Sequence, residues 1–122
     1  MRRPPEDPER EQRITYEVVV DAYGPEERAM GWYYYLEEHL HLPFRAKCVN
    51  ARVISPLRKG EEVTVVGMPP DDDFPGDMFV LIEWCGRTFG VPLAQLDGIN
   101  VDKETKQAIA DWHYWVAQGY QF

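Results

Sequence analysis

The densest chemistry in the chain lies at residues 71–77, where Asp71, Asp72, Asp73 and Asp77 place four carboxylates within seven residues. Like charges this close disfavour one another's ionisation unless a cation relieves them. A hard dication such as calcium takes oxygen ligands from flexible loops at about 2.3–2.6 Å. The EF-hand loop is the nearest template, with Asp71 and Asp73 at its first and third positions and Gly76 at its glycine. The match then ends. Pro75 occupies the fifth position, Ile82 stands where the bidentate glutamate belongs, and Glu83 is one place late. The flanks read as strands, not helices. The segment is therefore a Ca2+ candidate of a non-EF-hand kind, and its bland alternative is a solvated acidic turn.

Glu37 and Glu38 form a second oxygen-rich candidate. They fall near the end of a predicted helix, where the last carbonyls lack partners and the negative end of the dipole attracts cations. Adjacent helical residues point about 100° apart, so one of the two would ligate a given ion. The alternative is an exposed pair on a solvent face. Other acidic groups have local explanations: Glu26 and Glu27 suit a helix start, and Glu61 and Glu62 a strand entrance. Asp97 and Asp102 flank Asn100 and could share a cation with it. His39 and His41 are two apart, a spacing that on a helix does not aim them at one point, so they read as helix-end residues. The chain lacks a nucleophile elbow, a His-Glu-x-x-His pair, a phosphate loop and a dinucleotide fingerprint. A binding protein rather than an enzyme is expected.

These carboxylates need elements to position them. Residues 1–13 carry three prolines and alternating charges and read as a flexible tail. Residues 14–23 are read as helix, although Val18, Val19 and Val20 also suit a strand. Gly24-Pro25-Glu26-Glu27 starts a helix over residues 25–41, with Ala29, Trp32, Tyr33, Leu36 and Leu40 at helical spacing and Pro43 as the stop. Strands follow at 44–57, 61–68, 77–84 and 88–93, then a 3₁₀-like turn at 94–96 and an extended piece at 98–101. The run Met78-Phe79-Val80-Leu81-Ile82 is apolar on both faces and needs cover on each. Asp102 starts a last helix, with Ala108, Ile109, Trp112, Trp115 and Val116 as its stripe and Gly119 as its stop. The expected fold is α+β: a small SH3-like β-barrel of about five strands at residues 43–101, N-terminal helices within 14–42, and a C-terminal helix at 102–119, all in one domain.

Composition narrows the partners. At 122 residues the chain makes one domain with a small core. A formal net charge of −8 argues against nucleic acid and anionic membranes and favours cations or basic partners. No apolar run approaches the ~20 residues of a membrane span, and residues 1–8 lack a signal-peptide core. Cys48 and Cys85 form no Cys-x-x-Cys pair and sit in apolar runs, which suits buried reduced thiols and a cytoplasmic monomer.

Several stretches together carry a resemblance: Val20-Asp21-Ala22-Tyr23, residues 27–37 with Met30-Gly31-Trp32-Tyr33-Tyr34-Tyr35 at their centre, Leu42-Pro43-Phe44, residues 91–96, and Asp111-Trp112-His113-Tyr114-Trp115. From about residue 14 to 122 the chain resembles the CcbP-like calcium-binding proteins first described in cyanobacteria. That resemblance implies a small acidic bacterial protein that binds calcium without an EF-hand, on an SH3-like barrel with flanking helices. The competing expectation is a protein-interaction module that offers a groove of Tyr33, Tyr34 and Tyr35 to a protein partner without metal.

Overall fold

A computed structural model of the chain describes residues 5–70 and 77–120. Asp7 caps the first helix, its side chain accepting from the Arg10 N–H at 3.1 Å, and Pro8 takes the first turn, where a missing N–H matters least. Helix α1, Pro8–Arg13, runs directly into one π-helical turn, Ile14–Val18, which buries Ile14 and Val18. Residues 8–13 are thus helical where a flexible tail was expected, and residues 1–4 of that expected tail lie outside the described residues. Of the charges of α1, Arg10, Glu11 and Arg13 face partners inside the protein. Arg13 forks onto Asp111, with Nη2 at 2.6 Å from Oδ1 and Nε at 2.9 Å from Oδ2. Arg10 Nε stands 3.0 Å from Oδ1, close enough for charge attraction but out of line for a hydrogen bond. Glu11 accepts hydrogen bonds from the hydroxyls of Tyr114 and Tyr120, each at 2.9 Å.

Helix α2, Pro25–His39, and helix α3, Lys103–Ala117, pack through aromatic rings. Trp32 is fully buried and meets Trp112 edge-on at 5.0 Å, Trp115 at 5.4 Å and Tyr35 at 5.9 Å. Gly31 makes the neighbouring contact: a Cβ there would lie 2.3 Å from the Val18 carbonyl oxygen, so only glycine lets the π-helical turn lie against α2.

Tyr35 donates to Asp111 Oδ2 at 2.8 Å. Burial first, and that hydrogen bond second, push its phenol well above the ordinary tyrosine range. An unfolded tyrosine ionises near pH ~10, while the folded chain holds Tyr35 neutral beyond that. Its stabilisation is thus complete below pH ~10 and drains away as pH climbs toward the folded value. Tyr114 shifts the same way, chiefly by burial, as does Tyr120, to about 12, chiefly through its hydrogen bond to Glu11. Tyr35→Phe is expected to make the alkaline fall in stability shallower, read by urea unfolding at stepped pH. An equally steep fall would assign it elsewhere.

The sheet is antiparallel, in the order β4-β3-β2-β1-β5. Its strands are β1 Phe44–Cys48, β2 Glu62–Gly67, β3 Phe79–Trp84, β4 Arg87–Pro92 and β5 Leu96–Ile99. Register pairs Ala46 with Val63 and Gly98, Val65 with Ile82, and Val80 with Val91. These alternate residues make one buried face, with Ala46, Val65, Val80, Ile82 and Val91 fully enclosed. The sheet expected as a small SH3-like barrel is not closed into one: β4 and β5 stand at its two edges and do not pair. β3 is covered fully on one face only; Phe79 and Leu81 on the other are half-buried. The first strand is shorter than expected. It ends at Cys48, where Val49 N turns to Gln95 O and the chain leaves the sheet toward Ser55 and Pro56. Cys85 and Gly86 both take positive φ, 53° and 76°, in the two-residue turn between β3 and β4. That places Cys85 at an exposed tip rather than in the core, while Cys48 is buried as expected. No helix among the described residues is long and apolar enough to cross a membrane.

Candidate metal centre

The acidic connection joins β2 to β3, and the described residues fix both of its ends. At the near end, the Tyr33 hydroxyl donates to the Pro69 carbonyl at 2.8 Å. Tyr33 and Glu37 are one turn apart on α2, so the connection leaves from the helix face that carries Glu37. At the far end, Asp77 Oδ1 accepts from the Met78 N–H at 2.8 Å and Oδ2 lies 3.3 Å from Arg52 Nη1. Asp71, Asp72 and Asp73 lie outside the described residues.

Glu37 and Glu38 are exposed in the last turn of α2, as expected. The helix closes with Leu40 N donating to Leu36 O at 2.8 Å, so the next carbonyls have no intrahelical donor. Asp77 is not drawn against either glutamate; its near partner is a guanidinium. Among the described residues, no group of three or more His, Cys, Asp or Glu side chains stands arranged to hold a metal ion. The predicted donors among the described residues are still of one kind: the carboxylates of Asp77, Glu37 and Glu38, and the last carbonyls of α2, which have no intrahelical donor. Hard oxygens of this sort fit calcium and offer nothing to a soft metal. Arg52 already holds Asp77 electrostatically, and an ion there must displace it or use the other lone pairs.

α2 stops at His39, so His39 is the helix-end residue expected and His41 lies just beyond the cap. His39 Nδ1 lies 2.6 Å from Glu104 Oε2, and His41 Nε2 lies 3.3 Å from Glu104 Oε1. His41 Nδ1 meets Asp102 Oδ2 at 2.6 Å. Asp102 caps α3, accepting from Thr105 N at 2.7 Å, while Asp97 accepts from Gly98 N at 3.0 Å. That bond, first among its causes, holds the Asp102 carboxyl below its usual range. Sequence distance hid this cluster, because α2 and α3 are sixty-odd residues apart in the chain. His113 is spent on the Leu96 carbonyl at 2.7 Å.

The tyrosine groove loses its basis. Tyr35 is buried, Tyr33 is half-buried and bonded to Pro69, and only Tyr34 of the run is exposed.

The family model described as calcium binding, of the CcbP type, matches residues 12–116. A crystal structure of Anabaena CcbP is similar over 100% of both chains, with 42% identity and a TM-score of 0.88. A calcium-binding protein solved in its calcium-binding form is similar over 95% of both chains, with 42% identity and a TM-score of 0.84. No curated protein matches the chain. The chain belongs to the CcbP family of calcium-binding proteins.

Proposed function

We propose that this protein binds Ca2+ through surface carboxylates, as a buffer or sensor in the cytoplasm, acting as a monomer and without catalysis. The observation that carries the reading is the 42% identity, over 95% of both chains, to a protein solved in its calcium-binding form. The donor chemistry agrees with it. Asp71, Asp72, Asp73 and Asp77 supply carboxylates from the acidic connection, and Glu37 or Glu38 with the end of α2 supplies further oxygens. The Tyr33–Pro69 bond ties the acidic connection to that helix. Affinity on the order of 10⁻⁶–10⁻³ M is expected, because a connection interrupted by Pro75 presents few preorganised ligands.

A ligand that binds only the folded state stabilises it, by about 2.7 kcal/mol at a hundredfold excess over Kd. Thermal unfolding with calcium at a hundredfold excess over the Kd found by titration, at matched ionic strength, should therefore move the midpoint upward by several degrees relative to chelator. Equal midpoints, with no heat on calorimetric titration, would overturn the reading.

A further inference from the structure

We infer that the surface formed by residues 16–30 is a docking site for a basic amphipathic segment of another protein. Three large apolar side chains stand in water there: Tyr16 is 68% exposed, Val20 51% and Tyr23 86%. The π-helical turn buries Ile14 and Val18 and leaves Tyr16 and Val20 outside. Its close seat on Gly31 brings that turn against the first half of α2. Between the two lies a shallow concavity of about 340 Å³, lined by Val20, Ala22 and Met30 and by the acidic Asp21, Glu26 and Glu27. Apolar ground bordered by polar groups in this way marks a contact surface, which isolated apolar residues do not. Aromatic rings are the side chains most enriched in such contacts.

Charge selects the occupant. Residues 14–27 hold four carboxylates, Glu17, Asp21, Glu26 and Glu27, and no Lys, Arg or His. Glu27 Oε2 accepts from the Tyr23 N–H at 3.1 Å, which fixes one side of the concavity. Among the described residues, Glu17, Asp21 and Glu26 have no partner. Arg28, the nearest cation along the chain, is half-buried and already engaged. The positive end of α2 offsets these carboxylates by only about half a charge. The surface therefore repels phosphates and anionic headgroups and attracts Lys and Arg. A basic segment satisfies both halves of it. Its cations reach the unpaired carboxylates, and one aliphatic side chain fills the space over Val20, Ala22 and Met30. The Tyr16 and Tyr23 rings offer their faces to the cations and to the stems that carry them.

A fluorescent peptide of Lys and Leu at helical spacing, about sixteen residues or some four turns long, tests the site by anisotropy in chelator at physiological ionic strength. One-to-one saturable binding is expected. Glu17→Gln/Asp21→Asn/Glu26→Gln should weaken it about tenfold, as three rim ion pairs together allow. Val20→Ser/Tyr23→Ser should weaken it about as much, an effect that attraction to an acidic protein at large would not give. Glu62→Gln/Glu83→Gln/Asp97→Asn removes the same number of charges from the sheet and should leave the affinity within about twofold, since those groups lie outside the patch. All eight side chains are exposed, so each variant should unfold in urea at the parent's midpoint. Absence of saturable binding would overturn the inference. So would an equal loss in the sheet variant, or Val20→Ser/Tyr23→Ser binding as the parent does.

Discussion

Arg10→Ala/Arg13→Ala is expected to cost about 3–5 kcal/mol of folding stability, the range for leaving a buried charge without its partner. Asp111 is wholly buried and accepts from Arg13 and Tyr35, with Arg10 alongside. Without both guanidiniums a carboxylate would remain inside the helical layer with one phenol for company. The reverse deletion, Asp111→Ala, should cost less. It strands two guanidiniums whose side chains are 29% and 20% exposed and can turn toward water. Adding Asp111→Leu to Arg10→Ala/Arg13→Ala should recover part of the loss, because it removes the orphaned charge. Urea unfolding of the four proteins measures all three differences. A loss under ~1 kcal/mol for Arg10→Ala/Arg13→Ala, the level of an exposed ion pair, would show that α1 does not anchor the fold.

The second large effect concerns the acidic connection. Neutralising it as Asp71→Asn/Asp72→Asn/Asp73→Asn/Asp77→Asn should lower calcium affinity at least tenfold. The same variant should be as stable as the parent, or slightly more so, in chelator. Mutual repulsion is relieved, and among the described residues the partly exposed Asp77–Arg52 pair is lost, a contact worth about 0–1 kcal/mol. In calcium the order of stability should therefore reverse. Glu37→Gln/Glu38→Gln should weaken binding less, since one of the two points away from any shared ion. Unchanged affinity in the fourfold variant would move the site elsewhere on the chain.

Much of the architecture was readable from local signals. Pro25 with Glu26 and Glu27, the Asp102 cap, the apolar alternation of β2 and the Cys85-Gly86 turn each act over a few residues, and each element formed near where it was expected. What failed depended on distant partners. The charges of α1 look solvated until Asp111 is brought beside them from the far end of the chain. Open or closed sheet geometry depends on whether β4 and β5 meet, which no alternation pattern encodes. Glu37 and Glu38 were legible as exposed helix-end carboxylates, whereas the His39–Glu104–His41 junction was not, because it exists only where two helices meet.

The central proposal is that the carboxylates of the acidic connection, with Glu37 or Glu38, hold calcium, and a backbone amide NMR titration with calcium tests it most directly. The account predicts saturable shifts concentrated at residues 69–78 and 37–40, with α3 and the β3–β4 turn little changed. Shifts that gather instead around α3 or that turn, or a spectrum indifferent to millimolar calcium, would contradict it.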